Sequence, residues 1–379
     1  MNIEKIETYI VEQKLERPFY FSQWEYASRQ VCLVKITLQD GTYGWGEGYG
    51  PAKIVRAAIE FFEPLVIGQD PLSVETIWQT MYRRSLDYAR RGVFLAGLSA
   101  IDVALWDLRG KILQQPISVL LGGRRREHVK VYATGMYFAV EIDLEKCLAE
   151  EALTYARQGY KAMKMKVGLG VKEDLIYIRA VRKAIGPDIE LMVDSNHAYS
   201  RSEALALARK IEELDITFFE EPLSPEDYEG YRELRLRTEI PIAAGECEYL
   251  TAGFKHLVAG QCVDIAQPDI CAAGGLTEVK RIVSLANTFA VNVIPHCWGT
   301  GIAFAAGLHL VSTLDVVPGR LRMPEPVLEM DRTENPLRDR LTFPYFEAVN
   351  GMVAVPTEPG LGIDVDRDLL EEFCIKRLI

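Results

Sequence analysis

The sequence predicts an α/β fold: a TIM-like (β/α)7β barrel with an α+β capping domain built from the N-terminal region and the C-terminal tail. Three observations predict it. From Val129 onward short apolar runs alternate with longer amphipathic ones, giving eight strand candidates and seven helix candidates. Before that point antiparallel strand patterns are followed by a group of helices. Charged residues also recur at the ends of the apolar runs: Lys166, Asp194, Glu220 and Glu246 stand 28, 26 and 26 residues apart, the length of one strand, one helix and two loops.

In chain order, residues 3–15 and 31–47 read as antiparallel strands, the latter turning at the hairpin dipeptide Asp40-Gly41. The aromatic stretch Pro18–Glu25 between them keeps neither period and reads as a loop, a surface cover or a lid. Helical patterns follow at 51–66, 72–84 and 93–114, the last with Leu95, Leu98, Ile101, Leu105 and Leu108 on one apolar face. Pro116 and Gly122-Gly123 punctuate the chain, so the capping domain is placed at 1–125.

The barrel is placed at 126–331. Its strands are predicted at 129–134, 162–167, 190–195, 217–220, 241–246, 263–268, 291–296 and 327–330. Its helices are predicted at 143–158, 171–185, 201–214, 225–238, 250–259, 275–289 and 301–313. No G-x-G-x-x-G turn follows the first strand, which counts against a nucleotide-binding sheet. The segment 332–379, with strand-like pieces at 350–355, is expected to pack back on the cap.

Composition narrows the partners. The 379 residues exceed what one hydrophobic core usually serves, and 49% apolar content fits a globular protein. The net charge of −11 argues against nucleic-acid and anionic-membrane partners, since it does not attract phosphate. The start Met1-Asn2-Ile3-Glu4-Lys5-Ile6 lacks a signal peptide's basic and apolar regions, and no apolar run approaches a spanning helix, so a cytoplasmic location is expected. Seven scattered cysteines without a C-x-x-C pair read as reduced thiols.

In a parallel barrel the loops after the strands form the functional face, so charged residues at strand ends are candidates for chemistry. They are Lys164 and Lys166 on the second strand, Asp194, Glu220, Glu246, Asp269, His296 and Glu329 on the third to eighth. Singly, each has an ordinary explanation: a helix cap, a solvated carboxylate, a structural histidine. Together they are in register with the barrel repeat. Three converging carboxylates, Asp194, Glu220 and Glu246, repel one another unless a cation lies between them, and all-oxygen ligation suits Mg²⁺, with Mn²⁺ as substitute, rather than zinc. The alternative is that they pair with the two lysines and bind no metal. Alternation alone leaves Glu220 against Glu221 open, and Glu248 shares a face with Glu246.

Taken in order, Lys164-Met165-Lys166, Val193-Asp194-Ser195-Asn196, Phe219-Glu220-Glu221-Pro222, Gly245-Glu246, Gln267-Pro268-Asp269 with Gly274-Gly275, and Pro295-His296 resemble the enolase superfamily, mandelate racemase subgroup, over essentially the whole chain. The runs Arg332–Arg338 and His296–Gly301 look most like its sugar-acid members, particularly galactarolactone cycloisomerases. The resemblance implies Lys166 as a catalytic base, Asp194, Glu220 and Glu246 as Mg²⁺ ligands, and Asp269 with His296 as a second acid/base pair. It also implies a homo-oligomer. Glu329 stands further past His296 than the matching glutamate of mandelate racemase, which leaves its electrophilic role open.

These residue types suit removal of a proton alpha to a carboxylate. The cation and Lys164 stabilise the charge built on the carboxylate oxygens, and Lys164, partial burial and the cation lower the pKa of Lys166. The expected reaction is β-elimination from a sugar acid or its lactone, a dehydration or a cycloisomerisation, with Lys166 or His296 removing the proton. The alternative is racemisation or epimerisation by 1,1-proton transfer; a more distant one is a non-catalytic metal-binding structural protein. The small carboxylate substrate is expected to meet Phe21, Gln23, Trp24 and Lys53 from the cap, and Asn196, Trp298 and Thr300 from the barrel.

Overall fold

The computed structural model describes residues 2–140, 143–316, 319, 321 and 324–375. Strands β1 (Ile3–Tyr20), β2 (Glu25–Leu38) and β3 (Tyr43–Gly48) form an antiparallel sheet in that order. Helices α1 (Ala52–Val66), α2 (Val74–Ser85), α3 (Phe94–Leu113) and the short α4 (Ile117–Leu120) follow. Helix α3 is buried almost all round, and glycines admit it to the sheet: a Cβ on Gly46 would lie 1.9 Å from the carbonyl of Ala100, and one on Gly44 would lie 2.3 Å from that of Ala104. The glycines face α3, so the alternate residues Trp45 and Glu47 face the other way.

The stretch read as a loop at Pro18–Glu25 is strand at its ends, Pro18–Tyr20 and Glu25, and a loop only at Phe21–Trp24, a turn closed by Phe21 N–H donating to the Trp24 carbonyl at 3.2 Å between β1 and β2. Two pairings extend the strands. Phe19 stacks on its cross-strand partner Tyr26 with ring centres 5.6 Å apart, and Tyr20 exchanges backbone hydrogen bonds with Phe138 at 2.7 and 2.8 Å. The second pairing is with a distant part of the chain and leaves no local mark in the sequence.

Eight parallel strands then alternate with helices: β4 (His128–Gly135), α5 (Leu144–Arg157), β5 (Ala162–Lys166), α6 (Val171–Ile185), β6 (Glu190–Asp194), α7 (Arg201–Ile211), β7 (Ile216–Glu220) and α8 (Tyr228–Arg235). The series continues with β8 (Ile242–Ala244), α9 (Leu250–Val258), β9 (Ile265–Ala266), α10 (Gly275–Thr288), β10 (Asn292–Val293), α11 (Gly301–Thr313) and β11 (Val327–Asp331). Their order is β10-β9-β8-β7-β6-β5-β4-β11. No ladder joins β10 to β11 among the described residues; the two ends of the sheet meet where Cys297 N–H donates to Glu329 Oε2 at 3.1 Å. Helix starts follow capping chemistry, as at α7, where Ser200 and Glu203 form a reciprocal capping box.

The barrel interior is plugged by one apolar layer of Tyr132, Ala162, Met192, Phe218, Ala243, Ile265 and Val327. A larger core fills the space between strands, helices and cap.

After β11 come α12 (Pro336–Arg340), β12 (Thr342–Phe343), β13 (Met352–Ala354), β14 (Asp364–Val365) and α13 (Arg367–Phe373). The strand-like piece expected to pack on the cap, β13, instead pairs antiparallel with β4, after a turn at Asn350-Gly351 with φ of 52° and 73°. The end of the tail does reach the cap sheet: Asp364 accepts from Tyr43 and Trp45, and Ile375 N–H donates to the Ile10 carbonyl. Among the described residues no helix is long and apolar enough to cross a membrane.

Candidate active site

The functional side chains stand one layer above the apolar plug. Two residues beyond Ala162, Met192, Phe218, Ile265 and Val327 come Lys164, Asp194, Glu220, Gln267 and Glu329, which the strand period puts on the same inward face. This period separates the adjacent glutamates: Glu220 shares the face of Phe218, and Glu221 leaves the strand in a left-handed conformation, φ 44°.

Oxygens of Asp194, Glu220 and Glu246 lie within 4.8 Å of one another. Lys164 Nζ lies 2.6 Å from Glu220, 2.9 Å from Glu329 and 3.6 Å from Asp194. Lys166 Nζ donates to Asp194 Oδ2 at 2.5 Å and to Asn196 Oδ1 at 2.8 Å. Across the barrel mouth His296 Nδ1 lies 2.6 Å from Asp269 Oδ2, and its Nε2 lies 3.5 Å from Glu246. Glu329 is held by Thr134 Oγ1 at 2.6 Å as well as by the Cys297 amide, so the residue with the least certain place in the sequence stands beside Lys164.

Electrostatics here are those of carboxylates crowded in low dielectric. Burial first, then repulsion from Asp194, Glu329 and Glu246, pushes Glu220 up to about 8 despite Lys164. Burial also opposes ionisation of Asp194 and Glu329, but Lys166 and Lys164 hold Asp194 below the usual range, and Lys164 and His296 hold Glu329 at about 2. Burial disfavours the imidazolium of His296, yet Glu246, Asp269 and Glu329 outweigh it and raise His296 to about 10. For Lys166 the sequence predicted a lowered pKa. Burial and Lys164 do lower it, but Asp194 and then Tyr137 outweigh them and hold it above the ordinary lysine range.

The donor set is that of a hard divalent cation. Three carboxylates meet without a sulfur or imidazole among them, and Gln267 Nε2 fixes Glu220 by donating to Oε2 at 2.6 Å. This all-oxygen cluster, with more buried carboxylate than ammonium around it, fits Mg²⁺-type ligation.

A cavity of about 560 Å³ opens above the cluster. Of the substrate-contact candidates, Phe21, Gln23, Trp24, Asn196 and Trp298 line it. Two do not. Lys53 lies on the solvent side of α1, whose buried face is Ala52, Val55, Ile59, Phe62 and Val66. Thr300 is buried, and its hydroxyl is occupied in capping α11 and donating to Glu47 at 2.5 Å. Sequence reasoning missed Tyr26, Tyr49 and Tyr137 in the cavity wall. Tyr137 follows the end of β4, so the rule of strand ends points to it; Tyr49 reaches within 5.2 Å of the His296 ring only because β3 lies over the barrel.

The capped barrel and this site define an enzyme class in which carboxylates at successive strand ends meet a lysine pair and an Asp–His pair. The chain belongs to the mandelate racemase/muconate lactonizing enzyme group of the enolase superfamily: its residues 5–122 match the N-terminal domain of that group and 147–369 the enolase C-terminal-like domain. It is 42% identical over 98% of its length, and 99% of the relative's, to D-galactarolactone cycloisomerase of Agrobacterium fabrum. It is 35% identical to arabinonate dehydratase of Saccharolobus solfataricus, covering 92% of this chain and 91% of that one. Among solved structures, the 3,6-anhydro-D-galactonate cycloisomerase of Zobellia galactanivorans is 55% identical over 99% of this chain and 100% of its own, with a TM-score of 0.91.

Proposed function

We propose that this protein is a sugar-acid cycloisomerase: it removes the proton alpha to a carboxylate and expels a β oxygen that belongs to a ring, giving a 2-keto-3-deoxy acid of unchanged mass. The observation that carries this is that Lys166 and His296, the latter paired with Asp269, line one cavity together with Glu246 of the carboxylate cluster. The identity of 55% to an anhydro-galactonate cycloisomerase, against 42% to a lactone-acting one, favours a ring ether over a lactone as the leaving oxygen.

Asp194, Glu220 and Glu246 would hold Mg²⁺, which when bound neutralises the charge developing on the substrate carboxylate. Lys164 supplies a charge-assisted hydrogen bond to the same oxygens. Asp194 is the main group holding the proton on Lys166, and as a metal ligand it would no longer do so; Lys166, beside the cationic Lys164, then takes the alpha proton, the C–H electron pair forms the enediolate, and the enediolate breaks the Cβ–O bond. Asp269 accepts the Nδ1 hydrogen of His296 and stabilises the imidazolium, so Nε2–H faces the cavity and protonates the departing oxygen. The resulting enol becomes the 2-keto acid.

The test is incubation with 3,6-anhydro-galactonate, galactarolactone and open-chain aldonates, followed by mass spectrometry. A keto product with the mass of the cyclic substrate is expected. A product that has lost water, from an aldonate alone, would support the second reading, a dehydratase, which the 35% identity to arabinonate dehydratase favours. Alpha-carbon inversion with no keto product overturns both.

A further inference from the structure

Beside the carboxylate cluster lies a second group of donors that the proposed reaction does not use. His197 Nε2 lies 3.2 Å from Glu221 Oε2 and 3.6 Å from Cys247 Sγ, and donor atoms of all three lie within 4.8 Å of one another. We propose that His197, Glu221 and Cys247 form a separate site for a borderline transition-metal ion of the Zn²⁺ class, at the wall of the catalytic cavity.

Geometry is the first argument. Around a tetrahedral zinc with Zn–N and Zn–O of about 2.0–2.1 Å and Zn–S of about 2.3 Å, the N···O edge is about 3.3 Å and the N···S edge about 3.6 Å. The two measured edges match these lengths.

The second argument is the imidazole's orientation. His197 Nδ1 lies 3.3 Å from the Leu223 carbonyl, which can only accept, so Nδ1 carries the hydrogen and Nε2 presents its lone pair. That lone pair points at the Glu221 carboxyl and the Cys247 thiol, whose S–H is within hydrogen-bond reach of Nε2. A cation among the three would take the place of that proton and bond all three donors. The thiol would release its proton to solvent as the metal–sulfur bond forms.

The donor types set the selectivity. Sulfur and imidazole favour zinc, cobalt or copper over magnesium, whereas the neighbouring oxygen-only cluster has the opposite preference. The sites are linked through the chain: Glu221 follows Glu220, and Cys247 follows Glu246. His197 and Cys247 also line the cavity, so an ion there has an open coordination position on the substrate side. Zinc bound there inhibits turnover, and excess Mg²⁺ does not relieve it.

The experiment is a Co²⁺ titration of the full chain in saturating Mg²⁺, followed by the near-ultraviolet thiolate-to-cobalt absorption that an oxygen-only site lacks. One Co²⁺ per chain should produce the band, and equimolar Zn²⁺ should abolish it. Cys247→Ser should lose the band, and His197→Gln should weaken binding about tenfold or more. Absence of the band in the unaltered protein, or its persistence in Cys247→Ser, overturns the proposal.

Discussion

Asp269 Oδ2 lies 2.6 Å from Nδ1 of His296, and both side chains are buried at the ends of neighbouring strand segments. The carboxylate also accepts from the Cys271 amide at 2.6 Å through its other oxygen, so it cannot swing away from the ring. This contact fixes which nitrogen faces the substrate. In Asp269→Asn the amide could donate to Nδ1, moving the hydrogen to Nε2 in a neutral ring with no charge to support it. The expected loss in kcat is roughly 10²–10⁴-fold with KM little changed. A kcat within a few-fold of the original would remove the pair from the mechanism.

The assignment of base and acid is separable. If Lys166 takes the alpha proton and His296 serves the leaving oxygen, His296→Asn should exchange the alpha hydrogen with deuterated solvent while forming almost no product. Lys166→Ala should do neither. Proton NMR of substrate recovered from each variant reads this directly. Exchange in Lys166→Ala, and none in His296→Asn, would reverse the two roles.

The proposed Mg²⁺ site would depend on a residue that does not touch the ion. Gln267 Nε2 donates to Glu220 Oε2 at 2.6 Å and turns the other carboxylate oxygen toward Lys164. Gln267→Ala should weaken Mg²⁺ binding by roughly 10–100-fold, and Glu220→Gln should weaken it further. The measure is the Mg²⁺ concentration restoring half-maximal activity to chelator-treated protein. Full activity in metal-free protein would sink the cation's role altogether.

Much of this site is legible in the sequence because it is built on strands. A period of two and a repeat of 26–28 residues are enough to bring Lys164, Lys166, Asp194 and Glu220 to the inward face at one end of one barrel. What the cap contributes is not legible, because it depends on contacts between distant segments. Glu47 accepts the Thr300 amide across 253 residues of sequence, at 3.0 Å, and so ties β3 to the start of α11 just past His296 and Trp298. Thr300 was therefore read as a substrate contact when it is an anchor. Lys53 was misplaced for a related reason: helical periodicity shows which face of α1 is apolar, but not that this face covers the cap's own sheet. Arg29 was missed too; its guanidinium lies 3.8 Å from the centre of the Trp298 ring and pairs with Asp331 at 2.7 Å, a support visible only once β2 and β11 are in place.

His309, far from the reaction, should make stability depend on pH. It is fully buried on α11, where the Ser118 N–H donates to Nδ1 at 3.2 Å and Nε2–H donates to the Leu361 carbonyl at 3.0 Å. A proton on Nδ1 would face the Ser118 N–H and have no acceptor. Burial therefore pushes the imidazole down to about 4 from the usual 6.5, although the bond to Leu361 opposes the shift. The sign follows from proton counting. Between these two values the unfolded chain binds the proton and the folded one does not, so stability falls as pH falls. The contribution is complete above the unfolded value and is lost by about pH 4, amounting to something on the order of 3 kcal/mol. Urea unfolding at pH 8 and pH 5 should show a larger decline for the original protein than for His309→Gln, whose amide does not titrate. Equal declines in the two proteins would show that His309 is not the group responsible.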